Sequence, residues 1–335
     1  MKVLICGLGL IGKERCKALL NLEFVEYSEI DVIDPNFGAD IDSTPKIESN
    51  NILDASKLNF INEESIRKTY DLMIISAPHI ESINFLKKYH AHGKKILIEK
   101  AFGLNLNEAA ELENFIGKDK KLYVGFNYRF FEGVQLLKED IFKGKFGDII
   151  NLDFRLGLGH QKGSENTWRL EQKQIPMGAL FDPGVHMIDL INHLTENTKI
   201  TAASYWNGFW DKGYPEDITI LGKSFENANL TCRVSNVSWK SIFTINVLGT
   251  EGYGVIDGRG RSYGPQTYIR GKRWGWETAE NQKASEELVL TSSCENTFTD
   301  ELTNILENNG SIAASSKDAI SAFSMMSDIE KLFNS

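Results

Sequence analysis

The sequence predicts an α/β Rossmann domain with a doubly wound parallel sheet, followed by an α+β domain with a largely antiparallel open sheet. Strand and helix patterns alternate through the first 125 residues, as in parallel sheets with helical connections. From residue 149 onward, strand patterns follow one another with few long helical segments, which favours antiparallel pairing. The length of 335 residues suits about two domains, and we place them at 1–125 and 126–335.

Short runs of branched apolar residues predict the strands of the first domain, and apolar residues at every third or fourth position predict its helices. Gly93 separates one such helix from the strand that follows it. The predicted strands are 1–6, 30–33, 71–79, 95–98 and 122–126, and the predicted helices are a segment ending at residue 20, 80–91 and 107–115.

In the second domain, alternating apolar and polar residues predict strands at 149–155, 200–206, 218–223, 229–234, 241–248 and 254–257. Residues 178–194 predict a helix with Asp182 at the N-cap and Pro183 in the first turn. Residues 312–333 place apolar side chains at helical spacing, which indicates a helix packed on a core.

The composition excludes several classes of protein. A formal net charge of -9 and a pI near 5.3 argue against binding to nucleic acid or to an anionic membrane, since either needs a basic face. No apolar stretch approaches the roughly 18 residues of a membrane span. Cys6, Cys16, Cys232 and Cys294 lack metal-site spacing, so we expect reduced thiols in a cytoplasmic protein without a metal site.

A dinucleotide-binding motif follows the first predicted strand. Gly7, Gly9 and Gly12 form the pattern G-x-G-x-x-G, with Leu10 and Ile11 before the last glycine. The first glycine of this pattern allows a tight turn, the second lets the backbone approach a pyrophosphate, and the third lets the helix pack closely on the strand. Because the motif lies between a strand and a helix, we predict that it binds the cofactor. A merely glycine-rich turn is the alternative.

Asp34 ends the second predicted strand, 22 residues after Gly12. A carboxylate at this place accepts hydrogen bonds from an adenosine ribose and would repel a 2'-phosphate, so NAD is favoured over NADP. The alternative is that Asp34 only begins a turn before Pro35.

Two further strands end in polar residues at the edge where parallel sheets bind ligands. One of them runs into His79, and the other is followed by Glu99 and Lys100. These side chains are therefore candidates for contact with cofactor or substrate. A solvated loop histidine and a solvated charge pair are the alternatives.

The predicted helix 178–194 carries a polar stripe. Asp182, His186, Asp189 and His193 lie within about 60° of one another around its axis, opposite the apolar side. A carboxylate one turn from an imidazole can orient the ring and stabilise its protonated form, as a general base requires. The alternative is that Asp182 is only a cap, and that the stripe is the solvent-exposed face.

The segment 258–276 combines five basic and four aromatic residues in an acidic chain. Arginine suits phosphates and flat aromatic rings suit sugars or bases, so the segment suggests a nucleotide-linked sugar as substrate. Trp168 and Arg169 would add to the same site. A solvated turn or a subunit contact is the alternative.

Four motifs together resemble the glucose-fructose oxidoreductase and inositol dehydrogenase family, the Gfo/Idh/MocA oxidoreductases. They are the glycine motif at 7–12, Glu-Lys-Ala at 99–101, Gly-Phe-Asn-Tyr-Arg-Phe at 125–130 and Asp-Pro-Gly-Val-His-Met-Ile-Asp at 182–189. The resemblance covers essentially the whole chain and departs at Ala101, where the family usually has proline. It implies a C-terminal sheet that makes subunit contacts, so we expect a homodimer or homotetramer.

The resemblance also implies NAD(P)-dependent oxidation or reduction of a sugar or cyclitol carbon, with Lys100, Asp182 and His186 as the catalytic residues. His186 would take the hydroxyl proton, Lys100 would stabilise the alkoxide, and Asp182 would hold a neighbouring hydroxyl or the imidazole. The expected cofactor contacts are Gly7, Gly9, Leu10, Ile11, Gly12, Asp34, Ser76, Ala77, Pro78, His79, Glu99, Lys100 and Asn127. The expected substrate contacts are Lys100, Tyr128, Arg129, Trp168, Arg169, Asp182 and His186.

Three functions stay open at this point. The first is a sugar dehydrogenase that releases NADH. The second is a relative that keeps NAD bound and oxidises and re-reduces its substrate within one turnover. The third is a dinucleotide-binding sensor without chemistry, against which the presence of Lys100 and His186 argues.

Overall fold

The chain forms two compact units. The computed structural model describes residues 1–24, 26, 29–35, 58–66, 68–117, 121–160, 163–164, 167, 170–273, 286–307 and 310–333. The first unit comprises Met1–Asn127 and Phe298–Ile320, and the second comprises Tyr128–Thr297 and Ser321–Ser335. The domain boundary predicted at residue 125 lies two residues before Asn127, where the first segment of the first unit ends. The predicted second domain, 126–335, contains a segment that returns to the first unit.

The first unit contains a parallel sheet. Its strands are β1 (Lys2–Cys6), β2 (Glu29–Ile33), β3 (Asn59–Phe60), β4 (Tyr70–Ile75), β5 (Gly93–Ile98) and β6 (Lys121–Val124). They are parallel in the order β6-β5-β4-β1-β2-β3, and the short strand Ala314–Ser315 pairs antiparallel with β6. The connecting helices are α1 (Leu10–Leu20), α2 (His79–Tyr89) and α3 (Leu106–Ile116). The predicted doubly wound sheet is confirmed.

Branched apolar residues fill the centre of this sheet. Val3, Leu4 and Ile5 of β1 are completely buried, as are residues 96–98 of β5. Helices cover both faces of such a sheet, which is why its central strands lack polar alternation. Asp34, Ser76 and Glu99 directly follow three of these strands, at the carboxyl edge where α/β sheets bind ligands.

The second unit contains a mainly antiparallel sheet. Its strands are β7 (Ile149–Gly159), β8 (Lys199–Trp206), β9 (Asp217–Ser224), β10 (Ala228–Ser235), β11 (Val237–Gly249), β12 (Gly252–Asp257), β13 (Gln266–Lys272) and β14 (Glu286–Ser292). Their order is β14-β13-β12-β11-β7-β10-β9-β8, and β7 and β10 form the parallel pair. The predicted largely antiparallel open sheet is confirmed.

One face of the second sheet is covered by helices. In β7 the side chains of Leu152, Phe154 and Leu156 are buried, whereas Arg155 is exposed on the opposite face. The helix α4 (Glu132–Phe142) packs against β12 and β13, and α5 (Gly184–Leu194) packs against β7 and β10. The helices α6 (Thr297–Glu307) and α7 (Ser316–Leu332) follow the sheet in the chain. No helix in the described ranges is both long and apolar enough to cross a membrane.

Some elements differ from the sequence predictions. The patterns do not predict β13, β14, α4 or α6, and charged residues such as Arg270 interrupt the apolar alternation of β13. The strand predicted over 71–79 ends at Ile75, because α2 begins at His79. The last helix begins at Ser316 rather than residue 312, because Ala314–Ser315 is paired with β6.

Candidate functional site

The glycine-rich turn joins β1 to α1 under tight packing. Gly7 has a φ angle of +87°, and a Cβ atom there would lie 2.7 Å from the backbone nitrogen of Ala77. A Cβ atom on Gly12 would collide with the carbonyl of Gly7. A side chain at Gly7 would therefore push the turn away from the residues that follow β4, and one at Gly12 would push α1 away from the turn.

The start of α1 faces open space. Gly9 occupies the N-cap position without a side-chain cap, and a Cβ atom placed there meets no atom within 4 Å. Leu10 is 62% exposed and Ile11 is partly exposed. The first amide groups of a helix lack helical acceptors and its dipole favours negative charge. This end of α1 therefore fits the pyrophosphate of a dinucleotide.

Asp34 directly follows β2 and is nearly buried. Its Oδ2 atom accepts a hydrogen bond of 2.6 Å from the backbone N–H of Leu8. The carboxylate is thereby held against the glycine-rich turn, at the edge of the sheet where the prediction of a ribose contact needs it. Pro35 follows in a turn, so Asp34 also begins a turn, as the alternative to a ribose contact predicts.

The residues after β4 support the glycine-rich turn from the neighbouring strand. Ser76 Oγ donates a hydrogen bond of 2.8 Å to the carbonyl of Gly7, and the Ser76 N–H donates one of 2.8 Å to the carbonyl of Cys6. Pro78 takes the N-cap position of α2, and His79 is its first residue. His79 is only 7% exposed, so the alternative of a solvated loop histidine is wrong.

Glu99, which follows β5, is held by a buried arginine. Arg15 of α1 is completely buried, and its Nε atom donates a hydrogen bond of 2.7 Å to Glu99. Its Nη1 atom donates to Glu301 of α6, and the ring of Phe298 packs on the guanidinium. Burial alone would lower the pKa of Arg15, but the carboxylates of Glu301 and Glu99 outweigh burial and raise it. For Glu99, the alternative of a solvated charge pair is therefore wrong.

Lys100 and Asn127 complete the predicted cofactor contacts of the first unit. Lys100 is half-buried and is joined by a cis peptide bond to Ala101, which is buried. Asn127 is half-buried and begins a short 3-10 turn after β6. The predicted cofactor residues thus all follow the carboxyl ends of β1, β2, β4, β5 and β6.

The helix α5 begins later than predicted, which changes the position of Asp182. Residues Gly178–Leu180 form a separate 3-10 turn, and α5 begins at Gly184 with Pro183 at its N-cap. The N–H of Asp182 donates a hydrogen bond of 3.0 Å to the carbonyl of Gly178, so Asp182 belongs to the preceding turn. The prediction that Asp182 caps this helix is therefore wrong. Its side chain remains partly exposed.

His186 stacks on the ring of Tyr128. The two ring centroids are 4.0 Å apart and the planes differ by 5°. His186 and Tyr128 are 7% and 5% exposed, and Phe243 meets Tyr128 edge-on. Burial raises the pKa of the Tyr128 hydroxyl above its ordinary value, so this ring stays neutral. The imidazole is therefore held in a fixed plane by an uncharged partner.

Arg129, next to Tyr128, forms a two-pronged ion pair with Asp189 of α5. Nε of Arg129 donates to Oδ2 at 2.9 Å, and Nη2 donates to Oδ1 at 2.6 Å. Asp189 is 1% exposed, so it does not belong to a solvent-exposed stripe. That alternative for the polar stripe is wrong at Asp189 and at the buried His186. The sequence pattern could not identify the partner, because Arg129 and Asp189 are 60 residues apart.

Two members of the basic and aromatic segment, Tyr268 and Arg270, bind other parts of the fold. Asp140 of α4 accepts hydrogen bonds from the Tyr268 hydroxyl at 2.7 Å and from Arg270 Nη1 at 2.9 Å. Arg270 also donates to Glu287 at 2.9 Å. These two predicted substrate groups of the segment thus join α4 to β13 and β14. Trp168, Arg169, Trp274 and Trp276 lie outside the described residues.

Arg259 is the member of that segment that meets the His186 stack. Its guanidinium carbon lies 4.8 Å from the centroid of the Tyr128 ring and 3.7 Å from that of Tyr263. In the sequence, Tyr263 follows Arg261 by two positions and Arg259 by four. This spacing does not distinguish Arg259 from the other basic residues of the segment. Only the fold identifies the arginine that contacts Tyr128.

Comparisons with known proteins support the family resemblance and the fold. Residues 134–254 match the family model described as the GFO/IDH/MocA C-terminal domain. A glucose-6-phosphate 3-dehydrogenase of Bacillus subtilis is 27% identical over 151 residues, which are 43% of this chain and 42% of that protein. The chain thus matches less than half the length of that relative.

Two solved structures show the same fold over nearly all of both chains. One is a levoglucosan dehydrogenase in complex with NADH and L-sorbose, with a TM-score of 0.74, 18% identity and coverage of 99% of this chain and 96% of that one. The other is a scyllo-inositol dehydrogenase from Lactobacillus casei with NAD(H) and scyllo-inositol, with a TM-score of 0.71, 18% identity and coverage of 100% and 97%. The resemblance to the Gfo/Idh/MocA oxidoreductases is therefore confirmed over residues 134–254, which match the model of that family's C-terminal domain, and the two solved structures share the fold of the chain.

Proposed function

We propose that the chain is an NAD-dependent oxidoreductase that interconverts a secondary alcohol and a ketone of a sugar or cyclitol. The observation that carries this proposal is the uncapped start of α1 behind Gly9, which lies at the carboxyl edge of a parallel sheet and leaves room for a pyrophosphate. The two similar structures are complexes with NADH and with NAD(H), which supports NAD as the cofactor.

The cofactor would be held by residues from several strand ends. The first amide groups of α1 would bind the pyrophosphate, and Asp34 would accept hydrogen bonds from the adenosine ribose. The Asp34 carboxylate also favours NAD over NADP, because it would repel a 2'-phosphate. When bound, NAD would supply the acceptor for the hydride that leaves the substrate carbon.

The chain's own groups would move the proton. We assign His186 as the base that takes the proton of the reacting hydroxyl, since Tyr128 holds its ring in one plane. The ammonium of Lys100 would stabilise the negative charge that develops on the oxygen. Asp182, whose side chain is partly exposed, would bind a neighbouring hydroxyl of the substrate.

Tyr128 and Arg129 take different parts in this scheme. Tyr128 contacts His186 directly and forms a wall of the substrate site. The guanidinium of Arg129 is occupied by Asp189, so Arg129 positions Tyr128 instead of reaching the substrate. Trp168 and Arg169 remain predicted substrate contacts that lie outside the described residues.

The substrate class is a sugar or cyclitol, as in the names of the relatives. A nucleotide-linked sugar is the narrower prediction. Tyr268 and Arg270 donate hydrogen bonds to Asp140, so we do not expect them to bind the nucleotide part of such a substrate. The prediction of a nucleotide-linked sugar therefore depends on Arg259.

The open face of the second sheet is the proposed contact in a homodimer or homotetramer. Apolar residues on this face are exposed in β9 and β11, at Leu221 and Leu248. Covering them with a second copy would remove apolar surface from water. Sedimentation of the wild type and of Leu248→Arg tests this contact. Reduced cysteines make the cytoplasm the expected compartment.

An absorbance assay at the NADH band tests the proposed function. A panel of free sugars, cyclitols, sugar acids, sugar phosphates and nucleotide sugars is offered with NAD and, separately, with NADP. We expect an increase with NAD and at least one compound. Silence across the panel from protein that binds NAD would contradict a dehydrogenase that releases NADH. A nicotinamide spectrum in the purified protein would then favour a retained cofactor.

A further inference from the structure

Arg259 carries a positive charge without a carboxylate partner among the residues that the structure describes. No hydrogen bond or ion pair engages its guanidinium in the part of the chain that the structure describes, and its Nε atom is shielded from solvent without an acceptor. The faces of the group are covered instead by aromatic rings, with Tyr263 at 3.7 Å and Tyr128 at 4.8 Å. Removing a charge from water without a counter-ion is unfavourable. The arrangement therefore favours the binding of an anionic ligand at Arg259.

Other arginines of the second unit are neutralised within the fold. Arg129 pairs with Asp189, Arg270 with Asp140 and Glu287, and two arginines on the open sheet face have their own carboxylates, as Arg155–Asp153 and Arg233–Asp217. Arg259 therefore differs from these four in its surroundings. Its two aromatic neighbours fix the plane of the guanidinium, and no acceptor among the described residues engages its Nε atom.

The backbone around Arg259 is also fixed. Gly258 and Gly260 have φ angles of +78° and +80°, and Cβ atoms on them would collide with the carbonyl oxygens of Pro265 and Ser293. The N–H of Gly258 donates to Phe243 in β11 at 2.9 Å. Such a turn holds the arginine in place before any ligand arrives, which reduces the entropy lost on binding.

Arg259 and the proposed catalytic base contact the same aromatic ring. The ring of Tyr128 that contacts its guanidinium also stacks on His186 at 4.0 Å. A substrate that presents its reacting hydroxyl to His186 could therefore extend past the edge of the Tyr128 ring and place another substituent against the arginine. A planar guanidinium donates two parallel hydrogen bonds to a phosphate or carboxylate.

We propose that Arg259 binds an oxyanion on the substrate, a phosphate or a carboxylate, while Tyr128 and Tyr263 hold the guanidinium in plane. This assignment rests on the proposed function, because it places an anionic sugar or cyclitol in the site of His186. It names Arg259 as a specificity-determining residue that separates anionic substrates from neutral ones.

The test compares kcat/KM for matched substrates that differ in charge. The panel contains a neutral sugar, its phosphate monoester, its uronic acid and its nucleotide diphosphate ester, each with NAD. We expect the wild type to prefer an anionic member, and the preferred member distinguishes a phosphate, a carboxylate and a pyrophosphate as the source of the oxyanion. Equal or better use of the neutral sugar would overturn the proposal.

Variants assign the preference to Arg259. We expect Arg259→Gln to lower kcat/KM for the anionic substrate by tenfold or more while the neutral sugar changes little, and Arg259→Lys to restore only part of the loss, because an ammonium lacks the fork. Lys143→Gln removes an exposed charge of the same unit that is paired with Glu139 and should leave the preference intact. An equal loss for neutral and anionic substrates in Arg259→Gln would contradict the proposal.

A binding measurement separates this assignment from the proposed function. Inorganic phosphate is titrated against wild type and Arg259→Gln at constant ionic strength, and thermal unfolding is recorded without NAD or sugar. Phosphate should raise the Tm of the wild type and have a smaller effect on the variant. The same response in both would overturn the role of Arg259, whether or not the chain proves to be a dehydrogenase.

Discussion

The imidazole of His186 lies parallel to the ring of Tyr128, with 4.0 Å between the centroids. Arg129, the next residue, is bound to Asp189, which lies about one turn after His186 on α5. Two consecutive residues of one short turn therefore hold the same helix at neighbouring points. One contact orients the candidate base, and the other anchors the turn that carries Tyr128.

Replacement of Tyr128 tests whether the stack orients His186. We expect Tyr128→Leu to lower kcat by about a hundredfold, because loss of the flat ring lets the imidazole leave its working geometry. Tyr128→Phe keeps the stacking surface and should retain most of the activity. Steady-state kinetics of both variants decides the point, and equal losses would show that the hydroxyl matters instead of the ring.

Breaking the buried pair Arg129–Asp189 should destabilise the protein strongly. We expect Asp189→Asn to lower the free energy of unfolding by about 3–5 kcal/mol, because Arg129 keeps a buried charge without an anion. Urea denaturation measures the effect. The control is Asp217→Asn, whose partner Arg233 is exposed, and which should cost about 0–1 kcal/mol. A loss in Asp189→Asn as small as in this control would contradict the account.

Arg15 should be as important to the first unit as Asp189 is to the second. Arg15→Met leaves Glu99 and the completely buried Glu301 without their shared cation, so we expect a loss of about 3–5 kcal/mol in the free energy of unfolding. Lys94→Gln, which removes an exposed pair with Asp71, is the matched control. An Arg15→Met protein as stable as this control would refute the structural role of the buried arginine.

Asp140 should make folding stability depend on pH in the acid range. Burial raises its pKa, but hydrogen bonds from Lys145, Tyr268 and Arg270 outweigh burial and hold it below its ordinary value. The unfolded chain then takes up the proton first, near pH 4, so the stabilisation is present above about pH 4 and is lost as pH falls below it. The difference in unfolding free energy between wild type and Asp140→Asn should therefore shrink from about pH 6 to about pH 3. A difference that does not change with pH would exclude this linkage.

Local sequence patterns predict the parts of the fold that depend on neighbours in the chain. The central strands of both sheets and the glycine-rich turn are of this kind, because apolar runs and Gly7 act within a few residues. Pairings between distant residues do not leave such a signal. Arg15 and Glu301 are 286 residues apart, and nothing near Arg15 in the sequence predicts its burial.

The same distinction explains the errors in the candidate site. Asp-Pro is a common helix start, which predicts Asp182 as a cap, but hydrogen bonds within the 178–182 turn delay the helix to Gly184. The polar stripe of α5 suggests a solvent-exposed face, because the sequence does not show that Asp189 pairs with Arg129. Arg259 belongs to a basic segment, and the sequence alone does not show which of its basic residues lies close to Tyr128.

The central claim is that Lys100 and His186 perform chemistry on a substrate while the glycine-rich turn binds NAD. The most direct test measures kcat and the Kd of NAD for Lys100→Ala and His186→Gln beside the wild type, with calorimetry for binding. The account predicts that kcat falls at least about a hundredfold in each variant while the Kd of NAD stays within about threefold. Full turnover in either variant, or loss of NAD binding together with turnover in both, would contradict it.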